Sequence, residues 1–371
     1  MTQRGYGGPL RYVQGKDVLA DLGVYIEPLA KSALIIIDGF FWETLTPRIE
    51  KSLQQHGVTG RFVRFGGEST DAEVERCAAE GRSAQAGVVI GVGGGKALDT
   101  AKITAFTIDA RIATVPTIAS TDSPTSSIGV IYSADGVYDR VVRCGRNPDI
   151  TLVDSALIAR APVRFLVSGM GDALSTWYEA RSNLESRSQN YIGEGYAATI
   201  AGAQIARACH DILMRDGRSA YRAAKTGALT PAVENIIEAN TLLSGLGFEN
   251  CGVSAAHGIH DALTVLEPTH HFFHGEKVAF GVICLLVLEN RPSSELNEAI
   301  DFCLDLGLPT TLSDLGLHDV SKDDLLKVGE LAMLPSNVIH SVPLALTAPL
   351  VADSIATASA LADERKTARA R

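Results

Sequence analysis

The stretch AGVVIGVGGGKALDTAKI, residues 86–103, runs from a β-rich apolar segment through Gly93, Gly94 and Gly95 into the start of a helix. Three adjacent glycines let the backbone approach a ligand closely, and the helix that follows offers unpaired N–H groups and a positive dipole end to a phosphate. The stretch is not a P-loop, because the first glycine of that motif would fall at Ile90, and Ala97 stands where a magnesium-binding hydroxyl belongs. Nor is it a regular GxGxxG, since counting from Gly91 puts the last glycine at Lys96. The loop points to a phosphate-bearing ligand such as a dinucleotide. A tight strand-to-helix turn that needs glycine only for its geometry is the alternative.

Working outward, residues 1–161 alternate between β-rich runs and polar helical stretches. ALIIID (33–38), GRFVRF (60–65), AGVVIGV (86–92), RIATVP (111–116) and ITLVD (150–154) read as strands, with helical stretches such as DAEVERCAAEGRSAQ between them. This grammar predicts βαβ units and a mainly parallel, Rossmann-like sheet. Two alternating runs around Asp135-Gly136 predict a β-hairpin within 129–145. From Pro162 onward Ala/Leu-rich segments with helical spacing take over, so residues 162–371 are expected to form an all-α domain.

The length of 371 residues suits two domains. A net charge of −10 argues against a nucleic-acid groove and leaves a small polar substrate as the easier partner. Six scattered cysteines without a CxxC pair, no apolar leader at the N-terminus and apolar runs too short to span a bilayer predict a cytoplasmic protein with reduced thiols and no membrane partner.

Acidic and histidine side chains are the candidate metal ligands, because the cysteines form no cluster. SGMGDALSTWYEARS (168–182) places Asp172 in an apolar helix, SAAHGIHDAL (254–263) supplies His257 and His260, and THHFFHG (269–275) supplies His270, His271 and His274. A histidine in an apolar helix is also commonly a hydrogen-bonded core residue, so spacing alone leaves these open. Asp38 ends the first strand, where a carboxylate suits either an adenosine ribose or a helix N-cap.

The chain resembles the glycerol dehydrogenase branch of the iron-containing alcohol dehydrogenase superfamily, whose folds include that of dehydroquinate synthase. The resemblance runs nearly end to end. It is carried by YVQGKD, GVGGGKALDTAK, VPTIASTDSPTSSIGVIYSADGVY (115–138), NPDITLVD, SGMGDALSTWYEARS, SGLGFENCGVSAAHGIHDALTVLE (244–267) and HHFFHGEKVAFG. The glycine loop is shared across the superfamily; ASTDSPTS is the specific part.

The resemblance implies that Asp172, His257 and His274 hold zinc, and that Thr176 replaces a histidine ligand of iron-type relatives. It implies NAD contacts from Asp38, Gly95, Lys96, Ala97, Leu98, Asp99, Thr117, Ile118, Ala119, Ser120, Ser126, Ile128 and Tyr132. Asp122 is the expected contact to a polyol substrate, against the alternative that it caps the following turn. The implied activity is NAD-dependent oxidation of glycerol or a related vicinal diol by a homo-oligomer. A sibling dehydrogenase acting on another diol, a hydroxyketone or sn-glycerol-1-phosphate is the alternative. Asp261, where relatives usually carry Asn, and Cys251 are departures that bear on substrate choice. A non-catalytic NAD-binding protein is the reading from a different class.

Overall fold

The computed structural model describes residues 3–193 and 195–371. In chain order the first elements are β1 (Arg11–Gly15), α1 (Leu22–Ile26), β2 (Ser32–Ile37), α2 (Trp42–Gln55), β3 (Thr59–Arg64), α3 (Asp71–Ser83), β4 (Val88–Gly93) and α4 (Gly95–Thr107). There follow β5 (Arg111–Pro116), β6 (Ile128–Tyr132), β7 (Tyr138–Arg143), β8 (Ile150–Asp154) and α5 (Ser155–Ile158). The helical part comprises α6 (Val163–Ser186), α7 (Ile200–Ala224), α8 (Pro231–Glu238), α9 (Ser244–Cys251), α10 (Ala255–Leu263) and α11 (His274–Leu288). It closes with α12 (Ser293–Leu306), α13 (Lys322–Ala332) and α14 (Ala348–Ala370).

Packing divides the chain into two compact units. A sheet unit holds Gly7–Phe165 and Ala223–Leu246, and a helical unit holds Met1–Tyr6, Leu166–Arg222 and Gly247–Arg371. The boundary read from the sequence, 161–162, lies just ahead of the Phe165–Leu166 crossing; the return of 223–246 has no counterpart in that reading. Side-chain bonds explain the return. Glu234 on α8 accepts from Gln14 Nε2 and from Ser155 Oγ, each at 2.6 Å, and Thr241 Oγ1 lies 2.9 Å from the Tyr12 hydroxyl.

Six strands pair in the order β1-β8-β5-β4-β2-β3, every pair parallel. Period-2 alternation sorts the β2 and β4 side chains between two cores. Ile35, Ile37, Ile90 and Val92 pack with Leu45, Ile49 and Leu53 of α2, whereas Leu34, Ile36 and Val89 pack with Ala97, Ala101 and Ala105 of α4. The hairpin β6-β7 turns through Asp135-Gly136 as expected. Strand β1 was not legible: RYVQG is a half-exposed edge strand with little apolar content, held by its register on β8.

In the helical unit, α11 is almost wholly buried. It reaches its neighbours by backbone contact at two glycines. A Cβ on Gly275 would lie 1.9 Å from the Ser168 carbonyl oxygen of α6, and one on Gly281 would lie 2.3 Å from the Ala256 carbonyl oxygen of α10. Among the described residues no helix is long and apolar enough to cross a membrane, and the six cysteines are buried and form no disulfide.

Gly275→Ala is expected to destabilise the protein by roughly 1–3 kcal/mol, the usual cost of overpacking. The denaturant midpoint checks it. An unchanged midpoint would mean that α6 and α11 separate without penalty.

Candidate active site

The helical unit brings together three of the residues singled out in the sequence. Asp172 lies on α6 beside the Gly171–Gly275 contact, and His274 opens α11 immediately before Gly275. Asp172 Oδ1 is 3.2 Å from His274 Nε2 and 3.5 Å from His257 Nε2. Three ligand atoms, one from each residue, lie within 4.8 Å of one another. Bonds of about 2 Å in a tetrahedral metal site separate ligand atoms by about 3.3 Å, close to the two spacings from Asp172.

The donor set also fits a cation chemically. Both Asp172 oxygens are buried without a hydrogen-bond partner, a state that is costly for a carboxylate unless a cation satisfies it. Burial alone would raise the Asp172 pKa, but the facing His274 and His257 hold it well below the ordinary carboxylate range. Thr176, one turn further on, is buried, and Gly247 stands so close that a Cβ there would meet the Thr176 methyl at 2.3 Å. Thr176 thus packs its methyl directly against the Gly247 backbone.

Glu179, not singled out in the sequence, completes the cluster. It lies seven residues after Asp172, two turns along the same face of α6. One oxygen accepts the Ser254 and His257 amides at 2.8 and 2.9 Å, so a carboxylate from α6 caps the N-terminus of α10. The other accepts His257 Nδ1–H at 2.7 Å, which fixes the tautomer and aims Nε2 at Asp172. Burial opposes charge on His257, yet Glu179 and Asp172 raise its pKa well above the usual value.

The other histidines separate. His260 packs its ring 4.5 Å from that of His274 and bonds Asp261 at 2.9 Å; burial, then the His274 charge, pushes its pKa down to about 4. His270 Nε2 sits 2.7 Å from the Thr264 carbonyl on an exposed turn, and His271 lies on the same turn. Cys251 is buried against Ala180 and Ala206, its thiol pushed up to about 12 by burial.

In the sheet unit the glycine loop has the expected strand-turn-helix form. Gly93 lets Asp38 come close, since a Cβ there would meet the Asp38 Cβ at 3.0 Å; α4 begins at Gly95. Asp38 accepts the Phe40 amide at 2.9 Å and so caps the short 39–41 turn. Lys96 is exposed, pairs with Glu68 at 2.5 Å and lies over the Tyr132 ring. Gly95, Ile118, Ser120, Ile128 and Tyr132 keep partial exposure, whereas Ala97, Leu98, Thr117, Ala119 and Ser126 are buried. Asp99 turns inward, accepting from Ser123 Oγ at 2.6 Å and pairing with Lys102 at 2.9 Å. Asp122 stands at the N-cap of the 123–125 turn, but its carboxylate makes no capping bond. It accepts instead from Ser244 Oγ at 2.9 Å.

A family model described as iron-containing alcohol dehydrogenase matches residues 9–155. The chain is 43% identical over 362 residues to a glycerol dehydrogenase of Pseudomonas putida, covering 96% of this chain and 98% of that protein. It is 41% identical over 353 residues to a glycolaldehyde reductase of Halobacterium salinarum, covering 95% and 96%. The crystal structure of a probable glycerol dehydrogenase from Sinorhizobium meliloti 1021 superposes with a TM-score of 0.92 at 52% identity, covering 97% and 99%.

The raised His257 pKa sets a sign for pH. In the metal-free protein this group's contribution to stability is fully present below its unfolded value of about 6.5 and is lost as pH rises through the higher folded value. Titration of the His257 ring by NMR in metal-free protein should give a midpoint above 6.5, and Glu179→Gln should lower it. The same variant should weaken divalent-metal affinity by roughly 10–100-fold. A wild-type midpoint in Glu179→Gln would remove Glu179 from this role.

Proposed function

We infer the activity from kinship and site together: the chain belongs to the iron-containing alcohol dehydrogenase family, and its relatives over nearly their whole length include glycerol dehydrogenases. It is an alcohol oxidoreductase. Our reading is NAD-dependent oxidation of glycerol, or a related vicinal diol, to the hydroxyketone, with zinc held by Asp172, His257 and His274. The observation that carries this reading is the buried Asp172 carboxylate, without hydrogen bonds and faced by two imidazole Nε2 atoms.

Zinc, when bound, supplies Lewis acidity that lowers the pKa of a hydroxyl, as it lowers that of water to about 7. The dinucleotide supplies the hydride acceptor. The protein's own groups do the positioning. Glu179 holds His257 in the tautomer whose Nε2 can bind metal. The α4 N-terminus and Lys96 offer amides and a positive charge to a pyrophosphate, and Asp38 offers a carboxylate to ribose hydroxyls. Asp122, whose carboxylate is not spent on capping, accepts a hydrogen bond from a substrate hydroxyl.

Reduction of a hydroxyaldehyde is the second reading, favoured by the similarity to the halobacterial glycolaldehyde reductase. A substrate bearing a phosphate fits less well: Lys277, the basic residue one turn beyond His274, is buried, and burial lowers its pKa.

Absorbance at the reduced-nicotinamide band, with glycerol, propane-1,2-diol, ethanol and sn-glycerol-1-phosphate compared, tests the reading. Glycerol or the diol should be preferred; preference for ethanol would sink it. In the reverse direction, glycolaldehyde favoured over dihydroxyacetone would support the second reading. A strong chelator should abolish activity and added zinc restore it.

His274→Ala should lose zinc and activity while keeping NAD affinity, whereas His270→Ala and His271→Ala should keep the metal. Elemental analysis decides, and full zinc in His274→Ala would overturn the ligand set. Asp38→Ala should weaken NAD binding by roughly 1–3 kcal/mol. Similar kcat/KM for NAD and NADP in the unmutated enzyme would count against that role for Asp38.

A further inference from the structure

Between α8 and α9 the helix is interrupted by one π-helical turn, Ala239–Leu243. An inserted residue advances everything after it by about 100° around the axis, since an α-helix turns once in 3.6 residues. The interruption therefore decides which side chains of α9's first turn meet the 119–125 segment. Ser244, fully buried and the first residue after it, donates from Oγ to Asp122 Oδ2 at 2.9 Å. Gly245 follows so closely that a Cβ there would lie 2.0 Å from Thr125 Oγ1 and 3.0 Å from the Asp122 carbonyl oxygen. The π turn itself grips the same segment twice. Asn240 Nδ2 donates to the Ala119 carbonyl at 2.9 Å, and Thr125 Oγ1 donates to the Thr241 carbonyl at 3.0 Å.

We propose that Ser244 is the positioning residue for Asp122, and that the π turn sets the angle at which its hydroxyl meets that carboxylate. The inference rests on the reading of Asp122 as the contact to a substrate hydroxyl. It adds that this carboxylate is held from α9, through the hydroxyl of Ser244. Ser244 touches no reacting atom. Its effect on turnover passes through Asp122, and it matters only for substrates that offer Asp122 a hydroxyl.

The test is steady-state kinetics on the zinc-loaded, full-length enzyme with Ser244→Ala, Asp122→Asn and the double variant. Ser244→Ala should lower kcat/KM for glycerol by about tenfold, the scale of effect for a modest misplacement of a contact group. KM for NAD and the slow rate with a monohydric alcohol, propan-1-ol, should stay within about twofold. In the Asp122→Asn background the same substitution should add less than about twofold, because the contact it serves is already gone. Ser244→Thr, which keeps the hydroxyl, should recover most of the loss. If Ser244→Ala does not fold, Ser244→Cys, of similar size and a weak donor, takes its place under the same criteria.

Unchanged glycerol kinetics in Ser244→Ala beside a loss in Asp122→Asn would overturn the role of Ser244 and leave the reading of Asp122 standing. Unchanged kinetics in both would overturn the reading of Asp122 itself. Equal losses with glycerol and propan-1-ol, or full additivity in the double variant, would make Ser244 a purely structural residue and overturn the proposal.

Discussion

The helical unit depends on a contact between two backbones. At Gly171 and Gly275, α6 and α11 approach so closely that a Cβ on either would overlap the other's main chain. Packed helices ordinarily stand 8–10 Å apart, separated by side chains. Here glycine removes the spacer one residue away from Asp172 and one away from His274, and the two side chains are left 3.2 Å apart. Gly281 repeats the device against Ala256, the residue before His257. The metal candidates thus converge because two helix pairs meet at glycine. The same contact buries Asp172, so the carboxylate meets a cation or stays without a hydrogen-bond partner.

Electrostatics in this unit are arranged around Glu179. Its three accepted hydrogen bonds serve two purposes at once: two cap the first turn of α10, and one turns the His257 ring. Capping and the orientation of the His257 ring are coupled, since both end on a single buried carboxylate. In the metal-free molecule Glu179 and Asp172 favour a proton on His257. A metal would have to displace that proton, so affinity should fall with acidity. Neutral His260, packed against His274, adds no positive charge to the cluster.

Much of this was legible in the sequence, for definable reasons. Strands β2, β4, β5 and β8 are largely apolar runs bounded by turn residues, and the glycine loop between β4 and α4 announces itself. Histidine spacing alone did not pick His274 out of THHFFHG; the family resemblance named it, and the structure places it 3.2 Å from Asp172. What stayed hidden depends on long-range packing. β1 is an edge strand recognisable only by its pairing with β8. The return of 223–246 to the sheet unit rests on Glu234 and Thr241 meeting residues more than 75 positions away, the nearest being Ser155 at a separation of 79. Glu179 repeats Asp172 at a two-turn interval, a signal that was present but is too common in helices to stand out. The inward turn of the Asp99 carboxylate toward Ser123 is likewise set by packing and not by the glycine loop's sequence.

That inward turn explains how the 117–127 segment, with little regular structure, holds a defined shape. Lys102 is 2% exposed and buries an ammonium beneath it. A buried charge must be fully partnered, and the Lys102 ammonium finds the Asp99 carboxylate, the Ser123 carbonyl at 2.9 Å, Ser126 Oγ at 3.2 Å and the Ile128 carbonyl. Asp99 answers by accepting from Ser123 Oγ and the Val130 amide. On the opposite flank, the hydroxyls of Thr114 and Thr151 converge on the Pro124 carbonyl. The segment is therefore tied to α4 and to the strands β5, β6 and β8 through satisfied buried polar groups, and to the π turn through Asn240 and Thr241. Loss of a partner would leave a buried charge or carbonyl less fully compensated, a stricter constraint than apolar packing imposes. Polar networks of this kind specify one conformation, and they hold the 117–127 segment, Asp122 included, in a single shape without regular secondary structure of its own.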